Sequence, residues 1–315
     1  MTRNLFAALA IGAAVSSLSP AQQTAELHVL PVQGNVYMLV GAGGNITVQI
    51  GNQGVLLVDT GLAQNSEKVL AEVRKLSSRP IRYIINTHVH ADHTGGNEAI
   101  AKAGVTITGG NVAGNITDAA EGAAVIAYQA VLDRMSAPPA AGEAAIPFGA
   151  LPTDTYITNQ KHMFFNGEGI EIIHEPNAHT DGDSFVYFRR SDVVSAGDIF
   201  TPGNYPVIDL KRGGNIQGII AALNKLIELT IPADKQEGGT YVIPGHGRLC
   251  DQADVVEYRD MATIIRDRVQ NLIKKGMTLE QVKAARPTRD YDPEYGTTTG
   301  FWTTDMFVEA VYRSL

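Results

Sequence analysis

Short apolar runs and a few amphipathic stretches set the rhythm of the chain. Residues 36–40 and 46–50 are β-rich runs separated by Gly41-Ala42-Gly43-Gly44, a hairpin pattern. Val55, Leu56, Leu57 and Val58 form a third strand pattern that stops at Asp59-Thr60-Gly61. Ser66 stands where a helix cap is expected, and Val69, Leu70, Val73 and Leu76 follow at near-helical spacing. Pro80 closes that unit. Residues 81–86 read as the next strand, a His-rich loop follows, and 97–103 read as a short helix. Residues 119–135 read as helical, and 137–152, rich in Ala, Pro and Gly, read as a surface excursion.

The second half repeats the layout. Residues 169–174, 184–189 and 193–196 read as strands, and 218–228 as a helix with Ile219, Ile220, Leu223 and Ile227 on one face. Residues 241–243 are a last strand before Pro244-Gly245-His246-Gly247. Beyond Asp251 the pattern is helical: 261–275 up to Gly276, a helix opened by the capping box of Thr278 and Gln281, and 307–315. The two halves meet near residues 155–170. Two β-sheets packed together with helices outside fit this order, within a single domain spanning 22–315. No sequence repeat of solenoid length is visible.

Composition narrows the function. With 44% hydrophobic residues, the 315-residue chain carries enough apolar mass for a sizeable core. The net charge is −8 and no basic run is present, which argues against nucleic-acid binding, because phosphate contacts need clustered Lys and Arg. No glycine-rich phosphate loop opens a helix after a strand, so nucleotide chemistry has no support. The single cysteine, Cys250, excludes an internal disulfide and a Cys-cluster zinc site. Residues 1–21 read as a secretory signal: Arg3, an apolar stretch over 5–15, and small residues in Ser19-Pro20-Ala21, with cleavage expected after Ala21. That predicts a periplasmic or secreted protein with no membrane contact after cleavage.

The chemistry concentrates in Thr87-His88-Val89-His90-Ala91-Asp92-His93-Thr94-Gly95-Gly96, directly after a strand pattern. Three of the eight histidines sit here. A tight turn can point His88 and His90 at one metal while Asp92 and His93 face a neighbouring one. Imidazole and carboxylate donors suit zinc. Further candidates stand at the ends of later strands: His179 in Asn177-Ala178-His179-Thr180-Asp181, Asp198 in Ala196-Gly197-Asp198, and His246 in Pro244-Gly245-His246-Gly247.

These motifs together resemble the metallo-β-lactamase superfamily, whose hallmark is HxHxDH followed by a separate His, an Asp and a final His. Asp59-Thr60-Gly61 also matches a strand-end motif of that family. The resemblance covers residues 27 to about 260. It implies an α/β fold, the αββα four-layer sandwich with two mixed sheets and helices outside. It implies a first zinc on His88, His90 and His179, a second on Asp92, His93 and His246, and Asp198 bridging both. Iron or manganese is possible on the same donors. Two such ions about 3.5–4 Å apart can share a hydroxide that attacks a carbonyl, with Asp92 orienting it and moving a proton. Asp59 is expected to support the ligands or the turn.

The expected function is an exported dinuclear zinc hydrolase of a small-molecule ester, thioester, lactone or amide. Authentic β-lactamases of this family place Cys or Ser where Asp198 stands, so a β-lactamase is the alternative reading. In its favour, Gly213-Gly214-Asn215 is similar to a Gly-Asn motif whose Asn polarises the lactam carbonyl, and Lys211 or Arg212 could hold a substrate carboxylate. Tyr205 could donate to an oxyanion. Gly41 to Gly44 could be a mobile flap or a plain turn. Tyr128, Phe148, Tyr156, Phe164 and Phe165 are candidate pocket walls. An inactive metal-binding module and a two-iron redox protein are further alternatives.

Overall fold

A computed structural model describes residues 26–106, 122–139, 142 and 144–315; the expected signal segment lies outside them. The first sheet has seven strands in chain order: β1 (His28–Gln33), β2 (Val36–Val40), β3 (Ile46–Gly51), β4 (Gly54–Val58), β5 (Ile81–Ile85), β6 (Ala124–Tyr128) and β7 (Asp154–Tyr156). β1 to β4 pair antiparallel, and β4 to β7 pair parallel. The chain then enters the second sheet, made of β8 (Gln160–Phe165), β9 (Glu168–His174), β10 (Ser184–Phe188), β11 (Val193–Gly197) and β12 (Tyr241–Pro244). Its β8 to β11 pairs are antiparallel, and β11 with β12 is parallel. Both sheets are therefore mixed.

Strand alternation explains the layers. Along β4, Val55 and Leu57 face the outer cluster that holds Val69, Leu70 and Val73 of α1 (Ser66–Leu76). Leu56 and Val58 face the other way, into the cluster between the sheets with Ile172, Val186 and Ile243. In β11, Val193 points between the sheets, whereas Val194 and Ala196 point outward. The outward side is covered by α5 (Ile216–Leu229), α6 (Gln252–Lys274) and α9 (Thr304–Arg313). Apolar area is thus removed from water on both faces of both sheets, the αββα arrangement.

Several expectations shift. The described part of 119–135 is not one helix. Ala124–Tyr128 is strand β6, and α4 (Gln129–Met135) follows. Val125 lies in the outer cluster and Ile126 in the inter-sheet cluster. A parallel strand buried on both faces is apolar throughout, so its sequence has no alternation to separate it from a buried helix. Strand β8 was not expected, because its exposed face carries Gln160, His162 and Phe164 at a sheet edge. The helix over 261–275 begins earlier, at Gln252, where Asp251 and Asp254 form a capping box. The Thr278–Gln281 capping box opens α7 (Leu279–Ala284) as expected.

The topology gathers the chemistry at one end. Asp59 follows β4, the His-rich turn follows β5, His179 follows β9, Asp198 follows β11 and His246 follows β12. Two bonds across the sheets hold that end: Ser184 N–H donates to Thr87 O at 2.9 Å, and the Tyr156 and Ser184 hydroxyls meet at 2.7 Å.

Candidate metal centre

The turn after β5 is shaped by a carboxylate from the neighbouring strand. Asp59 takes a left-handed backbone conformation, φ 64°, at the end of β4. Asp tolerates that region better than most residues. Its Oδ1 accepts from Thr87 N–H at 2.8 Å, and its Oδ2 from the Thr87 hydroxyl at 2.7 Å. The same Oδ2 lies 2.8 Å from His93 Nδ1. With its own proton given to Asp59, the Thr87 hydroxyl accepts from His88 Nδ1 at 3.0 Å. One buried carboxylate therefore orients His93 directly and His88 through Thr87. The turn itself is α2 (Ala91–Thr94), a single helical turn that puts Asp92 and His93 on successive positions.

Two groups of donor atoms result: His88, His90, His179 and Asp198 in one, Asp92, His93 and His246 in the other. Asp198 touches both. Its Oδ2 lies 3.9 Å from His88 Nε2 and 3.8 Å from His179 Nε2, while its Oδ1 lies 3.2 Å from His93 Nε2 and 3.5 Å from His246 Nε2. Asp92 Oδ2 is 3.2 Å from His246 Nε2. Two glycines make room for this. A Cβ on Gly44 would overlap the His93 ring, and one on Gly245 would overlap Asp198 Oδ1.

The donor set fits cations. His179 Nδ1 donates to Val207 O at 2.6 Å, and His90 Nε2 donates to Asp209 Oδ2 at 3.0 Å. Those partners assign the tautomers. The remaining nitrogens, His179 Nε2 and His90 Nδ1, then carry bare lone pairs facing each other at 2.9 Å. His93 Nε2 and His246 Nε2 face each other at 3.3 Å, both toward Asp198 Oδ1. His88 Nε2 and Asp198 Oδ1 are buried with no hydrogen-bond partner. Lone pairs converging without a donor repel, and a shared proton or a metal ion relieves that repulsion.

The titration behaviour follows from the same crowding. Burial pulls His179 down to about 4, and burial with the neighbouring His93 pulls His88 well below the ordinary histidine range. Burial works in the same direction on His93 and His246, yet carboxylates win there: Asp198 and Asp59 raise His93 well above its ordinary value, and Asp198 and Asp92 push His246 up to about 9. Asp198 is held well below the usual carboxylate range against its burial, chiefly by His93 and His246. In the metal-free protein, protons on His93 and His246 thus occupy the place of a cation.

Some residues nominated on sequence stand elsewhere. Asn215 does not face the metal ligands. It is the N-cap of α5, its Oδ1 accepting from Gln217 N–H at 2.7 Å and its amide reaching Ser314 O at 3.4 Å. Tyr205 is buried, stacked on Phe307, with its hydroxyl on Thr288 O and Asp292 Oδ1, so it is no oxyanion donor. Lys211 is an exposed residue of a short 3-10 turn. Its neighbour Arg212 binds Asp209 Oδ2 at 2.7 Å. Gly41 to Gly44 form a turn bonded to its neighbours, with Gly44 N–H on Asp92 O and Ala42 O accepting from Leu62 N–H. Among the candidate pocket walls, Tyr156 and Phe165 are core, and Phe148 and Phe164 are exposed. Sequence reasoning missed Asp209 and Val207. Asp209 carried a faint signal, an acid two residues before the Lys211-Arg212 pair in the loop after Asp198; a main-chain carbonyl carries none.

A family model described as the metallo-beta-lactamase superfamily matches residues 31–246. The chain belongs to the metallo-beta-lactamase superfamily. The seven His and Asp residues of the hallmark motifs converge in the two groups described above, within a sandwich shared by solved superfamily structures. A metallo-beta-lactamase from Pontibacter korlensis is 17% identical and has a TM-score of 0.54, with 76% of this chain and 99% of that one covered. A stereoselective inverting sec-alkylsulfatase from a Pseudomonas species is 17% identical with a TM-score of 0.65, covering 91% of this chain and 50% of the other. In sequence, a linear primary-alkylsulfatase from Pseudomonas is 27% identical over 273 residues, which is 76% of this chain and 50% of the relative. The chain thus spans about half the length of that relative.

Two outcomes are expected of this centre. Asp59→Asn puts an amide NH2 or a weaker acceptor against Thr87 and His93, both donors. Metal affinity, measured by competition with a chromophoric chelator, should fall about 10- to 100-fold; a change under about threefold would show that Asp59 does not organise the ligands. Metal uptake at pH 7 should release protons, because His93 and His246 hold protons below their raised pKa values and must lose them to bind a metal. The affinity should therefore rise with pH up to about 9. Calorimetry in buffers of different ionisation enthalpy reads this release directly, and a buffer-independent heat would contradict it.

Proposed function

We propose that the chain is an exported dizinc hydrolase that cleaves a small-molecule ester with water. The observation that carries this reading is the pairing of the two ligand groups through Asp198, with one of its oxygens turned to each. His88, His90 and His179 would hold one ion, Asp92, His93 and His246 the other, and Asp198 both. Zinc suits this imidazole and carboxylate set, with iron or manganese compatible with the same donors. Two divalent cations so held lower the pKa of water toward neutrality and polarise the bond under attack.

The chain's own residues supply the rest. Asp92 and His246 are the open side of the centre, with side chains 35% and 36% exposed, whereas His88, His93 and His179 are buried. Burial would raise the Asp92 carboxyl, but the bond from His246 and the charge on His93 outweigh it and hold it below its usual range. Asp92 is therefore ionised at neutral pH. Its Oδ2 is turned toward His246, which leaves Oδ1 to take the proton of the attacking water and return it to the leaving oxygen. Asp209, fixed by Arg212, keeps a proton on His90 Nε2 and so keeps Nδ1 free for a metal.

The first reading of the substrate is a carbonyl ester, thioester, lactone or amide. A sulfate ester is the second reading, favoured by the 27% identity to a linear primary-alkylsulfatase. The β-lactamase alternative loses a support, since Asn215 caps α5 instead of facing the ligands.

A panel of p-nitrophenyl acetate, a γ-lactone, dodecyl sulfate and a chromogenic cephalosporin, run on zinc-loaded protein with a chelated control, tests these readings. Turnover of the first two supports carbonyl chemistry, turnover of dodecyl sulfate alone moves the assignment to sulfate esters, and the cephalosporin alone restores the β-lactamase. Two bound zinc ions with no turnover at all would leave an inactive metal-binding module. On whichever substrate turns over, Asp92→Asn should lower kcat about 10²- to 10⁴-fold, and near-full activity would remove Asp92 from the mechanism. Export rests on residues 1–21 alone. Cell fractionation of the full chain should recover a shortened form outside the cytoplasm, and full-length protein confined to the cytoplasm would overturn it.

A further inference from the structure

We infer that the helical segment following the family-matched span is a clamp that positions His90 and His179, with Tyr205 as the positioning residue through which it acts. The inference rests on the metal-holding reading above but not on any particular substrate.

The loop between Asp198 and α5 supplies the outer hydrogen-bond partners of two ligands. Val207 O holds His179 Nδ1, and Asp209 Oδ2 holds His90 Nε2. Residues 201–209 belong to no helix or strand, so no ladder of backbone bonds sets where those two oxygens lie. Inner contacts help only at one end, where Asp209 N–H donates to His179 O at 3.0 Å. That far end is also held within the matched span, by Asn215 N–H on Ala178 O at 2.9 Å, whereas the anchors of the near end come from beyond residue 246, where the family match ends.

Tyr205 is the centre of them. Its ring lies flat on Phe307, with centroids 4.6 Å apart and planes 6° apart. Its hydroxyl is 3.2 Å from Thr288 O and 3.0 Å from Asp292 Oδ1, and its backbone N–H donates to Tyr295 O at 3.3 Å. One residue earlier, the Tyr258 hydroxyl donates to Asn204 O at 3.0 Å. At the far end of the loop, Asn215 reaches Ser314 O at 3.4 Å. Val207 is two residues from Tyr205, a distance of at most about 7 Å along an extended chain. A shift of the tyrosine therefore passes to the carbonyl that orients His179. The C-terminal helices never reach the ligands, yet the loop that aligns two of them is fastened to those helices at both ends.

The test is cobalt(II) titration of the full chain, read in the visible spectrum, with His179→Ala used to identify which of two uptake steps belongs to the His88, His90 and His179 group. Tyr205→Phe keeps the stack on Phe307 and removes only the hydroxyl. It should weaken that step about tenfold, the lower end of the range for outer partners of metal ligands, and alter its spectrum. The other step should move less than about threefold, and the unfolding midpoint of the metal-free protein should stay close to that of the wild type. Asp292→Asn, which retains an acceptor at Oδ1, should keep the affinity near the wild-type value. Wild-type binding of both ions by Tyr205→Phe overturns the clamp. Equal weakening of both steps with a lowered unfolding midpoint overturns it too, since that is general destabilisation. A wild-type chain that takes up no cobalt removes the metal reading itself, and the clamp with it.

Discussion

The bond set around Asp59 is the constraint on which the centre depends. A carboxylate 2% exposed, at the end of β4, accepts from the backbone and hydroxyl of Thr87 in the turn after β5 and from His93. Through Thr87 it also fixes His88. These two histidines belong to different ligand groups, so a single side chain sets the relative orientation of both. A buried acceptor with three donors is well satisfied, and losing it would leave those donors buried and unpaired. The left-handed backbone at Asp59 turns the chain out of β4 at the point where the carboxylate must point back toward β5.

Outward bonds explain the inward geometry. Four imidazoles each spend one nitrogen on a partner outside the centre: Thr87 for His88, Asp209 for the half-buried His90, Asp59 for His93 and Val207 O for His179. The other nitrogen is turned inward, as a lone pair on His88, His90 and His179 and as a protonated nitrogen against Asp198 on His93. The centre is consequently a set of crowded donors held in place by what surrounds them. The opposed pKa shifts follow: burial outweighs Asp198 at His88 and His179 and lowers them, whereas Asp198 with Asp59 raises His93 and Asp198 with Asp92 raises His246. The same partition gives the site a deep, closed side and an open one at Asp92 and His246, where a substrate can approach.

The sandwich places these pieces by simple periodicity. Alternating apolar positions in β4 and β11 build an inter-sheet core and two outer cores, and the strand ends then converge at one edge. The strands that were hard to read, β6 and β8, fail for opposite reasons. One is apolar on both faces and the other is a sheet edge whose exposed row mixes Gln160 and His162 with Phe164. Neither carries a ligand, so the misreading of β6 as helix left the reading of the centre untouched.

The seven donor residues were legible in the sequence because their chemistry is rare and their spacing regular: three histidines and an aspartate in six positions, then single His and Asp residues at strand ends. Asp59 was legible as a strand-end acid. What the sequence could not decide was which loop residues serve the centre and which serve the fold. Asn215 and Tyr205 both stand in the loop region after Asp198, and both have side chains able to polarise an oxygen. Only the tertiary structure turns Asn215 onto its own helix end and Tyr205 into the C-terminal core. It also brings in Asp209 and the carbonyl of Val207, the second of which has no side-chain signature at all. Ligand identity is written in side-chain type and local spacing. The orientation of each ligand depends on hydrogen bonds closed between strands, loops and helices far apart in the chain, and those exist only once the fold has brought them together.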